Sequence, residues 1–251
     1  MQMAFSPAPP HPCPPAPTPD ETMETLLDAL REALRLLGGF DPALREVVGM
    51  TLRVTGGALL LAGAIGLPLG AALGLRARVP AAGCLLPAIY TGMGLPPVVV
   101  GLFVYLLLSN QGPLGGLDWL FTPRAMIVAQ TIIALPLIVG LTLTALRSLD
   151  PALKLQVRAL GATPTQLAWV LLSEARLGVL AAVIAAFGAI ISEVGAVMLV
   201  GGNIEGQTRV LTTAIVLETR RGNFALALAL GLILLALAFV TNWLFHKLSD
   251  E

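Results

Sequence analysis

"LDPALKLQVRALGATPTQL", residues 149–167, interrupts a chain that is otherwise almost without charge. Asp150 is a good helix N-cap and Pro151 is favoured at the first helical position, so a short helix is expected to begin there. It should stop at Gly161, which accepts the left-handed backbone of a helix terminus. Thr163 to Gln166, "TPTQ", is a capping box with proline at the first helical position, and it starts a second helix. A passive connector needs only a few polar residues, whereas this one is built to hold a shape. Two readings are open: the helix pair packs beneath its own bundle, or it is a contact surface for another protein.

Its flanks decide the class. The chain has 251 residues, 56% hydrophobic and 12% charged, with mean hydropathy +0.85, whereas a soluble domain carries about a quarter charged residues. An all-α integral membrane protein is expected. Five apolar runs reach the roughly 20 residues a spanning helix needs: Val54 to Leu75, Val79 to Leu108, Ala125 to Leu146, Leu177 to Val200 and Phe224 to Phe245. Together they make a bundle over 45–247, with 147–176 as its one long polar connection. Prolines 68, 87, 96, 97 and 136 fall inside these runs, where neighbouring helices can satisfy the carbonyls they free. The pair in "GLPPVVVG" predicts a bend within the second run, serving either a cavity or packing alone.

Before the bundle, residues 1–21 are a proline-rich tail that can form neither helix nor core. They lack the basic start and apolar stretch of a secretory signal. Residues 22–40 place Leu26, Leu27, Leu30, Leu34 and Leu37 at helical spacing between charges and end at Gly38 and Gly39. They form an amphipathic helix, lying on the bilayer surface or packed on the protein. Cys13, Cys84 and His11 lack metal-site spacing. Formal net charge is zero, and with no basic tract nothing points to nucleic acid.

Charge leaves the orientation open. The side holding 76–82, 147–176 and the C-terminus has seven Lys and Arg residues and the other side eight, although the short loops near span ends tilt the count toward a C-terminus inside. Glu193 is the one ionisable residue well inside a run, and such a carboxylate is by default functional. It would repel an anion. A structural or gating role is expected, with hydrogen bonds from Ser192, a neighbouring helix or backbone groups; a proton relay is the alternative. "GGNIEGQTR", 201–209, ends that run with paired glycines, Gly201 and Gly202, and brings Asn203, Gln207, Thr208 and Arg209 to its mouth. Arg209 either attracts an anion or pairs with Glu205.

"RALGAT", between the third and fourth runs, resembles the cytoplasmic EAA loop of ABC importer permeases: Gly161 and Leu171 keep its register, while Leu155, Gln156 and Val157 stand at the Glu-Ala-Ala positions and Ser173 and Glu174 replace Leu-Pro. "TGMGLPPVVVGLFVYLLLSNQGPLG" (91–115), "FTPRAMIVAQ" (121–130) and above all "ISEVGAVMLVGGNIEGQTRVLTTAIVLETRRGNFALALALG" (191–231) resemble the permease subunit of tungstate importers. The resemblance implies a type I ABC importer transmembrane fold of five spans with a cytoplasmic coupling-helix loop. It further implies a homodimer in the bacterial inner membrane, N-terminus outside and C-terminus cytoplasmic, with ATPase subunits below and a tungstate-binding protein above. Docking on the ATPase would involve Asp150, Pro151, Leu155, Arg158, Ala159, Leu160, Gly161, Ala162 and Thr163. Glu193, Gly195, Gly201, Gly202, Asn203, Thr208 and Arg209 would form the gate and translocation path. Molybdate and sulfate permeases share the general plan. The chain has no G-x-x-x-x-G-K-[ST], so it is not expected to be an enzyme or to hold a cofactor; ATP and magnesium would sit on the partner ATPase. A proton-coupled secondary transporter would show internal repeats and several intramembrane ionisable groups, and neither is present in the sequence.

Overall fold

The computed structural model describes residues 42–76 and 82–249, and before them residues 23, 24, 27, 28, 30, 31, 34 and 35. The proline-rich segment 1–21 and the Gly38–Gly39 stop lie outside the described residues. Those described between 23 and 35 are helical, and Met23, Leu27, Leu30 and Leu34 are exposed.

The rest is helical, as the apolar runs predict. In chain order the helices are α1 (Pro42–Leu75), α2 (Ala82–Met93), α3 (Pro97–Leu108), α4 (Pro123–Arg147), α5 (Pro151–Ala159), α6 (Pro164–Glu174), α7 (Arg176–Ile191), α8 (Gly195–Gly201), α9 (Leu211–Arg220) and α10 (Phe224–Ser249). Three of them, α1, α4 and α10, are each long and apolar enough to cross a membrane, and the number reaches five if each bent pair counts as one span. The most apolar stretch of α4 is 56% buried, against 28% in α1 and 22% in α10. That contrast makes α4 the central helix. Around it pack Val54, Ala58 and Ala62 of α1, Val100 and Val104 of α3, and Ala196, Val197 and Val200 of α8. Small side chains let the backbones approach, which membrane helices need because lipid supplies no hydrophobic drive between them. At Gly70 a Cβ would lie 2.8 Å from the Thr142 Cβ. The outer faces carry exposed Leu60, Leu61, Ile65, Leu102, Phe103, Leu235 and Phe239, the inside-out distribution of a protein whose solvent is hydrocarbon.

Two of the apolar runs are divided. The second splits into α2 and α3, which meet at 101° across Gly94–Pro96. Pro96 and Pro97 cannot donate to a helix ladder, and Pro97 holds Pro96 extended, at φ −62° and ψ 120°. The run expected at 177–200 splits into α7 and α8 at Ser192–Val194, and α6 enters α7 at a 67° bend.

Candidate functional site

The polar loop folds as its caps dictate. Asp150 accepts a hydrogen bond from the Ala152 N–H at 2.8 Å, Thr163 and Gln166 close the capping box, and Gly161 stands at φ +81° with open space around it. Its glycine is thus required by backbone conformation and not by crowding. Leu153 and Val157 turn inward onto a small core of Ala71, Leu146, Leu167, Leu171 and Ala175. The opposite face presents Leu155 and Leu160, 67% and 87% exposed, beside exposed Pro151, Arg158 and Ala159. One face of the loop therefore packs on the bundle, and the other is exposed. Lys154, which the sequence did not single out, donates to the Leu75 carbonyl at 2.6 Å and pins α5 to the end of α1.

Deeper in the bundle the break between α7 and α8 is repaired group by group. Ending a helix inside a membrane frees carbonyls on one side and N–H groups on the other. The Ser192 hydroxyl donates to the Gly188 carbonyl at 2.8 Å, and Gln130 of α4 reaches across to donate to the Ile190 carbonyl at 2.9 Å. Glu193, 8% exposed, turns its Oε1 onto the Ala196 N–H at 2.8 Å and so caps α8. Thr212 of α9 donates to the Glu193 carbonyl at 3.0 Å. Among the partners expected for Glu193, backbone supplies the bond, while Ser192 bonds elsewhere. Gly195 and Gly101 allow close contact with α3: a Cβ on Gly195 would lie 2.5 Å from Val98 Cγ2, and one on Gly101 2.5 Å from the Ala196 Cα.

At the far end of α8, Gly202 takes φ +71° and Asn203 φ +52°. Thr208 does not line a mouth. It is fully buried, donates to the Gly201 carbonyl and accepts from the Ile204 N–H at 2.9 Å, which folds the loop on itself. Arg209 lies 3.2 Å from Glu205, the pairing that the sequence left as one of two options. The Phe121 N–H donates to the Val200 carbonyl at 2.8 Å, joining the end of α8 to the entry of α4. Two further residues escaped sequence reading: Thr51, which accepts from the Leu211 N–H at 3.0 Å, and Glu218, buried and bonded by Arg221 and Asn223 at 2.9 and 2.7 Å.

The expected loop residues thus gather on one exposed element. The expected gate residues gather on α8 and its two ends, and the two groups stand on different helices joined through α4. No group of three or more potential metal ligands occurs among the described residues.

These features define an all-α membrane bundle with two divided inner runs and a capped two-helix arm at its end. Its fold matches a solved inward-facing MetNI methionine ABC transporter with a TM-score of 0.64 and 21% identity, over 82% of this chain and 94% of that one. The chain belongs to the binding-protein-dependent transport system inner membrane component family, which matches residues 66–250. It is 45% identical to a probable anion ABC transporter permease protein of Haloferax volcanii, over 82% of this chain and 90% of the relative. It is 36% identical to the tungstate uptake system permease protein TupB of Peptoclostridium acidaminophilum, over 91% of this chain and the whole of the relative. Sequence resemblance and fold agree on an ABC importer permease in the inner membrane.

Proposed function

We propose that this permease carries tungstate, delivered by an extracytoplasmic binding protein, and that it works as a homodimer on cytoplasmic ATPase subunits. The observation that carries the cargo is the 36% identity to a tungstate uptake permease along that protein's full length. In this reading the chain crosses the membrane five times with its N-terminus outside, so the 147–176 loop and the C-terminus are cytoplasmic. Leu155 and Leu160 supply the apolar part of the ATPase contact, and Asp150, Pro151, Gly161 and Thr163 keep the two helices in the shape that presents it. ATP and magnesium are held by the partner. Closure of the ATPases moves the loops as rigid bodies, and the α7–α8 element with Gly201, Gly202 and the 203–209 loop acts as the gate. Glu193 caps α8 and does not touch cargo, since a carboxylate repels an oxyanion.

The Haloferax relative is named for an anion only, so molybdate and sulfate are the alternative cargoes. Calorimetric titration of the cognate binding protein with the three oxyanions is the test. Tungstate is expected to bind tightest; a preference for sulfate or molybdate overturns the cargo. Failure of the full chain to retain a co-expressed ATPase overturns the docking role of the loop.

A further inference from the structure

We propose that the loop end of the bundle holds one anionic phospholipid, its headgroup in a basic cleft and an acyl chain in the groove beside it. The cleft, about 570 Å³, opens between the ends of α1 and α4 and the start of α5, and is lined by Arg76, Arg147, Lys154 and Asp150. Three cations face one carboxylate there, and Asp150 is already engaged by the Ala152 N–H. Lys154 uses one ammonium hydrogen on the Leu75 carbonyl and keeps two for a ligand. Neither Arg76 nor Arg147 has an ion pair among the described residues.

Cations at a span end mark only a membrane boundary. A second feature gives them a ligand. Arg76 also lines a groove of about 480 Å³ between α1, α2 and α4, whose other walls are apolar, among them Leu69, Leu73, Leu85, Ile89, Leu135 and Val139. That volume falls within the roughly 300–1,000 Å³ range of ligand pockets. Ala72 and Ala88, both exposed, leave the groove open where larger side chains would close it. One arginine shared by a cationic cleft and an apolar groove is the arrangement that a molecule with a phosphate at one end and hydrocarbon at the other satisfies. The bilayer supplies such molecules, and basic pockets between spanning helices are where their headgroups bind. A lipid here would also touch Lys154, the residue that pins α5, and so would bear on the loop without contacting cargo. This inference does not depend on which oxyanion is carried.

The test uses the full chain co-purified with its ATPase, exchanged into a neutral detergent and probed by native mass spectrometry with dioleoyl phosphatidylglycerol, dioleoyl phosphatidylcholine and inorganic phosphate. Phosphatidylglycerol is expected to be retained at least about tenfold over phosphatidylcholine. Arg76→Gln with Arg147→Gln should lower that retention about fivefold per charge removed. Ala88→Phe, at an exposed groove position, should lower retention of phosphatidylglycerol with every cation intact. Because these variants sit on different elements, loss of assembly in one leaves the other as the measurement. Equal retention of the two lipids overturns the proposal, as does a wild-type complex that keeps no lipid because a second copy covers the groove. Displacement by inorganic phosphate at equal concentration overturns the lipid in favour of a free anion. Wild-type retention in either variant refutes the half of the site that it removes, and with it the proposal.

Discussion

Replacing Glu193 separates its two readings. In the structure its carboxylate oxygen accepts the Ala196 N–H at 2.8 Å in a site where the residue is only 8% exposed. Glu193→Ala removes the cap and strands an N–H inside the membrane, a loss of about 0.5–2 kcal/mol for the cap and up to about 3 kcal/mol if the donor stays unsatisfied. Glu193→Gln keeps an acceptor oxygen at the same reach. It should therefore cost less than the alanine replacement. Thermal unfolding of the purified complex is therefore expected to fall clearly in the alanine variant and slightly in the glutamine variant. Uptake into vesicles should follow the same order, with the glutamine variant keeping much of the wild-type rate. A proton relay predicts another pattern, because glutamine cannot carry a proton: both variants would be dead for transport while the glutamine form assembles and melts like wild type. That pattern would refute the capping role.

Four further outcomes are expected. Gly101→Val sets a side chain against the Ala196 backbone, where even a Cβ would be 2.5 Å away; overpacking of about 1–3 kcal/mol should show as a lower melting temperature, and an unchanged one contradicts the α3–α8 contact. Thr208→Val removes both hydrogen bonds of a buried hydroxyl, about 1–3 kcal/mol, so the Ile204 amide should exchange with deuterium faster. Lys154→Met keeps the stem and loses the Leu75 bond, about 1.5 kcal/mol for a partly exposed charged donor; ATP hydrolysed per ion imported should rise, and an unchanged ratio removes Lys154 from coupling. Leu160→Glu, at an 87% exposed position, should leave the melting temperature alone and weaken ATPase retention tenfold or more, the equivalent of losing a leucine burial of about 1.5–3 kcal/mol.

What the sequence disclosed follows the range of the forces involved. The caps at Asp150 and Thr163 and the stop at Gly161 were legible because each is made within a few residues of itself, and the structure forms all three. Apolar length was legible in the same way, and the helices α1, α4 and α10 cover three of the five expected runs, α1 starting well before Val54 at Pro42. The break at Ser192–Val194 was not legible as a break, since no proline marks it and Ser192 and Glu193 read as a polar point within one long run. The Gln130 support comes from 60 positions away, as distant as the other ties sequence reading missed: Lys154 lies 79 positions from Leu75, and Thr51 160 from Leu211. Such partners are brought together only by the packed bundle. Thr208 illustrates the converse. As a polar residue in a polar loop it read as mouth-lining, and the bond to the Gly201 carbonyl turned it inward.

The distribution of these bonds bears on how motion at the loop would reach the proposed gate. A helix break held by one local contact would flex by itself, but the Ser192–Gly195 break is tied by Gln130 to α4 and by Thr212 to α9. With its freed groups satisfied in this way, straightening or bending it alone would strand several of them in hydrocarbon, where each costs several kcal/mol. The break is therefore expected to move as part of a larger body. α4 is the natural member of that body: its last turn contributes Leu146 to the core beneath the loop, and its middle contributes Ala129, Ile133 and Ala134 to the core around α8. The loop, by contrast, is held to the bundle by a small core and, among the described residues, by the Lys154 side-chain bond. Displacing α5 would thus load the adjoining ends of α1 and α4 together. Since α4 is helical from Pro123 to Arg147 with Pro136 inside it, the shift either carries through to Gln130 or is absorbed at that proline. A Pro136→Ala variant that couples better than wild type would mean that the helix yields at this proline and absorbs part of the stroke, and one that couples worse would mean that the proline shapes the body that moves.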